Sequence, residues 1–142
     1  MALLELGVAR TMIAAAETRA GELGVKATIT VLDQGGDLVA VTRMDGAWAG
    51  GFDLALGKAH TARAFQAPSS TFVPMIQPGE PLFGVNSVAG GRYVIVGGGL
   101  PVRSGENFMG AVGISGGTID QDVAIAEAAV AAFKHVTDRK IS

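Results

Sequence analysis

Hydrophobic and polar residues alternate with a period of two along two neighbouring stretches of the chain. The apolar positions in these stretches are Ala27, Ile29, Val31, Val39 and Val41. A period of two is typical of strands that bury one face, so each stretch predicts a β-strand. Gly35 and Gly36 between them predict a tight hairpin turn, because glycine takes a positive φ without a Cβ clash.

Three other stretches have the period of an amphipathic helix. They cover residues 3–23, residues 52–65 and the residues that follow Thr118. The predicted buried stripe is Leu6, Ala9, Ile13, Ala16, Ala20 and Leu23 in the first helix, and Ile119, Val123, Ala126, Val130 and Phe133 in the last. Thr118 and Gln121 have the spacing of a capping box, which predicts the start of the last helix.

Three further strands are predicted after the second helix, at residues 93–96, 100–103 and 107–115. Five strands joined largely by hairpins, with the helices segregated from them, favour an antiparallel sheet in a single α+β domain that spans residues 1–142. A long irregular stretch such as 82–92 is usually mobile or functional. Gly97, Gly98 and Gly99 could present bare amides to an anion or make a turn, and we favour the turn because no P-loop lysine follows.

The composition narrows the class of protein. The chain has 142 residues, a formal net charge of -2 and no cysteine. The lack of a basic stripe argues against nucleic-acid binding, and the lack of cysteine excludes disulfides and thiolate metal sites and allows a cytoplasmic location. Charged residues interrupt the apolar N-terminal stretch, so we predict neither a signal peptide nor a membrane span. A content of 49% hydrophobic residues and 21 glycines predicts more apolar surface than a small monomer hides, and hence a homo-oligomer.

Candidate chemistry is concentrated in the second strand, the loop after it and the second helix. The strand delivers Arg43 and Asp45 to the loop, and the helix carries Lys58, His60 and Thr61. On a helical wheel Lys58 lies inside the apolar arc, so it either extends its ammonium group to water or meets an anionic ligand in a pocket. His60 faces away from that arc and is either a solvated surface residue or a ligand or acid-base group.

Four segments of the chain together resemble the GlcG/HbpS-like family, the so-called haem-degrading domain. In chain order they are VLDQGGDLVAVTRMDGA, ALGKAHTARAF, GGGLPVR and GAVGISGGTIDQDVAIAEAA. The resemblance spans nearly the whole chain and extends to the C-terminal domain of PduO-type corrinoid adenosyltransferases. It implies a profilin-like fold with a five-stranded antiparallel sheet, usually assembled into oligomers.

The resemblance and the positions of the polar residues together suggest a site. Ligand binding is assigned to Arg43, Lys58, Gly98 and Gly99, and catalytic roles are assigned to Asp45, His60 and Thr61. No group of residues in the sequence has the spacing of a metal-binding cluster, so haem is the one cofactor that we consider.

Two functions from different classes remain open. In the first, the protein binds a small anionic ligand, with haem as the leading candidate: Lys58 and Arg43 pair with propionates, and His60, a methionine or a hydroxyl approaches the iron. In the second, it is a cytoplasmic catabolic enzyme for a small carboxylic acid, similar to hydroxylaminobenzoate lyases or to accessory proteins of glycolate utilisation. An accessory oligomer without chemistry of its own is a third possibility. We expect Lys58 rather than His60 to dominate binding, because Lys58 points toward the sheet or an adjoining pocket while His60 shares a face with Asp53.

Overall fold

The computed structural model describes residues 4–141, which form three helices and four strands. The helices are α1 (Leu6–Leu23), α2 (Gly51–Phe65) and α3 (Ile119–Ile141), and the strands are β1 (Thr28–Asp33), β2 (Leu38–Arg43), β3 (Gly99–Ser104) and β4 (Asn107–Ser115). Between α2 and β3 the chain makes two 3-10 turns, at Val73–Ile76 and Val85–Ser87, followed by a turn at Val88–Gly91. Leu3, with which the predicted first helix began, lies outside the described residues.

The strands form one antiparallel sheet in the order β2-β1-β4-β3. β1 lies inside the sheet, where Thr30 pairs with Val41 of β2 on one side and with Gly113 of β4 on the other. The same Gly113 pairs with Gly99 of β3. The predicted hairpin between β1 and β2 is confirmed, and Gly36 in its turn has a φ of 90°. An α+β fold with an antiparallel sheet is therefore confirmed.

The sheet has four strands, so the prediction of five strands was wrong. Residues 93–96 form an apolar, β-branched run that is typical of a strand, but they lie outside the sheet. Their backbone bonds to α2 instead: the Val94 amide donates to Gly57 O over 3.4 Å and Thr61 Oγ1 donates to Val94 O over 3.2 Å. A short apolar run does not distinguish a segment that lies on a helix from one that joins a sheet. The profilin-like arrangement implied by the resemblance stays a prediction.

Helices cover both faces of the sheet. α1 and α3 pack together on one face, against apolar side chains of the strands, and α2 packs on the other face. Between the sheet and the α1–α3 pair lies the main hydrophobic core. Its fully buried large side chains include Met12, Ile29, Ile114, Ile125 and Phe133. Burying one such side chain contributes about 1.5–3 kcal/mol to stability. No helix in the described part of the chain combines the length and the hydropathy that a bilayer span requires.

The face of the sheet beneath α2 carries small residues. A Cβ added at Gly113 would overlap the carbonyl oxygen of Ala55 and would lie 2.7 Å from the amide nitrogen of Ala59. Thr30 Oγ1 donates to Ala55 O over 3.1 Å, which ties α2 to β1. α2 therefore contacts the sheet largely through backbone atoms, as glycine within a strand allows.

We expect Ile13→Asp and Phe133→Asp to unfold the domain or to destabilise it severely. Ile13 is 5% exposed and Phe133 is 0% exposed, so each variant places a charge in the α1–α3 core at a cost of several kcal/mol. Thermal unfolding followed by circular dichroism measures the effect. Ala14→Asp is the matched control, because Ala14 is the exposed neighbour of Ile13 on α1. An Ile13→Asp protein as stable as the Ala14→Asp protein would contradict the assignment of the buried stripe.

Candidate functional site

The seven predicted site residues occupy four separate places. Two line a groove, one lines a cavity beside α2, three are packed where α2 meets the start of β3, and one lies between α2 and residues 93–96. In that order they are Arg43 and Asp45; His60; Lys58, Gly98 and Gly99; and Thr61. The structure therefore brings Lys58, Gly98 and Gly99 together and leaves Arg43 and Asp45 on a different concave surface from His60.

Lys58 is buried, as its place on the helical wheel predicted, and its charge is paired inside the protein. The side chain is 3% exposed, and Nζ donates to Asp122 Oδ2 over 3.0 Å and to Ile114 O over 2.9 Å. The other carboxylate oxygen of Asp122 accepts a hydrogen bond from the Gly117 amide over 2.8 Å. A buried ammonium group requires such partners. The ion pair therefore joins α2 on one face of the sheet to the first turn of α3 on the other.

Gly98 and Gly99 provide the space that this ion pair occupies. A Cβ at Gly98 would lie 3.0 Å from Lys58 Nζ, and a Cβ at Gly99 would overlap Lys58 O. The amide of Gly99 donates to Ser69 Oγ over 2.8 Å. These two glycines thus permit close packing of α2 on the start of β3.

Thr61 connects α2 to the segment that was predicted as a fifth strand. Its side chain is 1% exposed, and Oγ1 lies 2.8 Å from Gly57 O and 3.2 Å from Val94 O. A hydroxyl has one proton to donate, so the two carbonyl groups share it. In this position Thr61 holds residue 94 against the helix.

Arg43 and Asp45 line a groove of about 600 Å³ near the C-terminal end of α1. Lys26 and Glu17 also line it, so both signs of charge are present. The Arg43 guanidinium donates to Ala47 O over 2.7 Å, and this bond holds the loop that precedes α2. A third concave surface, of about 490 Å³, is bordered by the carboxylates Glu5 and Asp33. Neither surface joins a cation to a histidine.

His60 lines a cavity of about 520 Å³ between α2 and the turn that follows the second 3-10 turn. Its walls are Asp53, Leu56, Gly57, His60, Ala89, Gly90, Gly91 and Arg92. Positions 53, 56, 57 and 60 lie on one side of α2 because they are three or four residues apart. The shared face of His60 and Asp53 is therefore confirmed. Among the residues that the structure describes, no group of three or more His, Asp or Glu side chains could hold a metal ion.

The surroundings of the His60 side chain favour its neutral form. Burial lowers its pKa below the ordinary value of 6.5, and the charges of Arg92 and Arg63 lower the pKa further. A neutral imidazole has one nitrogen with a free lone pair, which can bind a metal or accept a proton. The imidazole of His60 binds a proton more readily in the unfolded chain than in the folded protein. The free energy of unfolding therefore decreases as the pH falls from 6.5 toward the lowered pKa of the folded state.

Arg92 was missed by the sequence analysis. It follows Ala89, Gly90 and Gly91, whose φ angles of 54°, 68° and 81° are all left-handed. The pair of adjacent glycines before Arg92 was an available signal, because glycine is the residue that adopts this region without strain. The sequence did indicate that the irregular stretch 82–92 could be functional, and this stretch forms one wall of the His60 cavity.

The structure is a small α+β fold with an antiparallel sheet and a cavity of about 520 Å³ lined by a histidine whose pKa is lowered. The chain belongs to the family described as haem degrading protein HbpS-like, whose family model matches residues 4–131. The resemblance found in the sequence is thereby confirmed. Its relation to PduO is confirmed as well, because the chain is 38% identical over 119 residues to corrinoid adenosyltransferase PduO of Citrobacter freundii. That match covers 84% of this chain and 36% of PduO.

Two solved structures are closely similar to this chain. Klebsiella pneumoniae protein ORFY has a TM-score of 0.90 and 36% sequence identity, over 94% of this chain and 92% of ORFY. A PduOC:haem complex has a TM-score of 0.87 and 33% identity, over 92% of this chain and 95% of PduOC. A protein of this fold and family is therefore known in complex with haem.

We expect Lys58→Met to lower the free energy of unfolding by about 3–5 kcal/mol, because it leaves the Asp122 carboxylate buried without its cation. Chemical denaturation measures this loss. Arg19→Met is the control, since the Arg19–Glu22 ion pair is exposed and such pairs contribute about 0–1 kcal/mol. The double variant Lys58→Met, Asp122→Leu removes both charges and should recover part of the loss. A Lys58→Met protein with unchanged stability and weakened ligand binding would instead support the predicted ligand role of Lys58.

Proposed function

We propose that this chain is a haem-binding protein and that it holds haem in the His60 cavity. In this proposal the His60 imidazole is the iron ligand, and the Arg92 guanidinium pairs with a propionate. The observation that carries the proposal is a neutral imidazole on the wall of a ligand-sized cavity, beside a guanidinium group.

The residues of the cavity fit the chemical requirements of haem. A histidine nitrogen is a common axial ligand of haem iron, and it binds a metal only in the unprotonated form. Arginine recognises carboxylates with two parallel hydrogen bonds. Leu56 and Ala89 add apolar surface, and the volume of about 520 Å³ is within the usual range for small-molecule sites. Asp53 has the same sign of charge as a propionate, so the propionate belongs at the Arg92 end.

Arg92 replaces Lys58 and Arg43 as the carboxylate partner in this proposal. The ammonium group of Lys58 is paired with Asp122, and Arg43 lies on a separate groove with its guanidinium bonded to Ala47 O. Arg92 is exposed and lines the cavity of His60. The ligand roles of Lys58, Arg43, Gly98 and Gly99 stay predictions, as do the catalytic roles of Asp45 and Thr61.

The relatives support haem as the ligand to test first. The family description names haem, and the PduOC structure is a complex with haem. The adenosyltransferase activity of PduO is not carried over, because this chain spans 36% of PduO.

The enzyme alternative rests on the same cavity. A neutral imidazole can act as a general base, and Arg92 could hold the carboxylate of a small acid near it. Asp53 lines the cavity with His60 and could orient the imidazole. The enzyme alternative differs from haem binding in the ligand and not in the cavity. The same His60 and Arg92 variants therefore test both functions.

A homo-oligomer in the cytoplasm completes the proposal. Several large apolar side chains are exposed on the single chain, and an interface between copies would cover such surface. Those exposed by 40% or more are Leu6, Leu38, Val41, Trp48, Leu54, Phe65, Met75, Phe83, Val88 and Ile119. The cytoplasmic location is a prediction from the sequence, whose lack of cysteine allows it.

We expect haemin to bind in a saturable manner, with a Soret band that is weakened in His60→Ala. Loss of the iron ligand should reduce the affinity at least about tenfold, which corresponds to about 1.4 kcal/mol. His135→Ala is the matched control, because His135 is the other histidine of the chain and is exposed on α3. Equal affinity of the two variants, each folded, would contradict the role of His60.

The pH dependence distinguishes the two functions. Iron competes with a proton for the imidazole nitrogen, so haemin affinity should stay level down to pH 6.5 and fall as the pH drops through the lowered His60 pKa. A small carboxylate would gain affinity over the same range, because protonation adds positive charge beside Arg92. A tighter complex with small acids at low pH, together with no haemin band, would favour the enzyme alternative.

We expect the purified protein to sediment as a dimer or larger oligomer at micromolar concentration. Trp48→Ser and Phe83→Ser each remove a strongly exposed aromatic side chain, 61% and 66% exposed respectively, and should leave the fold intact. The variant that shifts the distribution toward monomer identifies the part of the surface that is covered. A monomeric wild-type protein would contradict this part of the proposal.

A further inference from the structure

The segment that carries Arg92 runs from a 3-10 turn to an attachment point on α2. In the 3-10 turn the Val88 amide donates to Val85 O, and Ser87 Oγ donates to Gly84 O over 2.7 Å. Downstream, Val94 is bonded to α2 through Gly57 O and through the Thr61 hydroxyl. Residues 89–91 connect the 3-10 turn to this attachment point.

Residues 89–91 form a left-handed turn. Their φ angles are 54° at Ala89, 68° at Gly90 and 81° at Gly91, whereas Arg92 returns to a right-handed φ of -58°. L-residues rarely adopt the left-handed region, and a run of three is exceptional because even glycine visits it as a single residue in most proteins. An added Cβ at Gly90 or Gly91 would meet no atom within 4 Å. These positions therefore favour glycine because of their left-handed backbone conformation and not because of limited space.

Gly57 lets the segment cross α2 close to His60. A Cβ at Gly57 would overlap the Val94 side chain and would lie 3.2 Å from Arg92 O. Gly57 is three residues before His60, about one helical turn away on the same side of α2. The backbone of Arg92 is thus brought to the helix one turn from the imidazole.

We propose that the left-handed turn of residues 89–91 is a positioning element, which directs the Arg92 guanidinium into the His60 cavity. This inference rests on the proposed function of that cavity as a ligand site. The charged groups that face His60 are Arg92 from the segment and Arg63 and Asp53 from α2. Of these three residues, only Arg92 has a position that depends on the conformation of the turn. Arg63 and Asp53 lie on α2, the helix that also carries His60.

The test compares two glycines of the segment between α2 and β3, both of which have a positive φ. Gly91→Ala places a Cβ on a residue with a φ of 81°, and Gly79→Ala does the same at 88°, each with nothing within 4 Å of the new atom. The two variants therefore introduce similar backbone strain, but Gly79 does not line the His60 cavity. Gly90→Ala, at a φ of 68°, is a second variant within the turn, should Gly91→Ala fail to fold.

The first measurement is the NMR titration of His60 in the free protein. If the turn directs Arg92, its rearrangement in Gly91→Ala moves the guanidinium away, and the His60 pKa rises toward the ordinary 6.5. Arg92→Met should raise the pKa in the same way, and Gly91→Ala should add nothing in the Arg92→Met background. Gly79→Ala should leave the His60 titration unchanged.

The second measurement is haemin affinity, which should fall about two- to fivefold in Gly91→Ala and stay constant in Gly79→Ala, as expected for a partly exposed charge pair. A His60 titration that does not move in Gly91→Ala, or that moves equally in Gly79→Ala, overturns the inference. A further shift when Gly91→Ala is added to Arg92→Met also overturns it. A shift that requires Arg92 supports it even if haemin does not bind, because that result would contradict only the proposed haem function.

Discussion

α2 lies so close to the sheet that glycine is required beneath it. A Cβ at Gly113 or at Gly99 would overlap a carbonyl oxygen of the helix, so any larger residue would force α2 away from β4 and β3. Thr30 and Lys58 depend on this approach, because the hydroxyl reaches Ala55 O and the ammonium reaches Asp122 beyond the end of β4. The ion pair in turn holds the helix in place, since separating it would leave two unpaired charges in the interior. The glycines therefore allow the close approach of α2, and the ion pair stabilises it.

The close approach also limits where a cavity can form beside α2. The inner face of α2 is occupied by backbone contacts and by the ion pair, which leaves no space there for a ligand. A cavity can form along the side of the helix, where Gly57 allows residues 92–94 to cross at short distance. Three of the eight residues in the cavity wall, Ala89, Gly90 and Gly91, belong to the turn and have small side chains or none. The chemistry of the cavity is consequently determined by three polar residues, Asp53, His60 and Arg92.

Regular elements could be predicted from the sequence because their signals are local. The capping box is present, with the Thr118 amide 2.9 Å from Gln121 Oε1 and the Gln121 amide 3.2 Å from Thr118 Oγ1. The wheel also placed Lys58 correctly in the interior, but it could not identify a partner 64 residues away. The wheel failed at helix ends, where Leu6 and Ile119 are 45% and 55% exposed, because a first turn has neighbours on fewer sides. Arg92 had no periodic signal, since left-handed residues set its direction.

Beside His60 two side chains provide different chemical groups: Arg92 has a permanent positive charge, and His60 has an imidazole nitrogen. A guanidinium group remains charged at every physiological pH, so Arg92 can attract an anion whatever the state of the histidine. Burial, together with the charges of Arg92 and Arg63, lowers the His60 pKa and favours an imidazole with a free lone pair. In the proposed function, anion recognition by Arg92 and metal ligation by His60 would therefore not depend on the same proton. A ligand that carries both a carboxylate and an iron centre would use both residues at once, and for this reason we propose haem rather than a simple acid as the ligand.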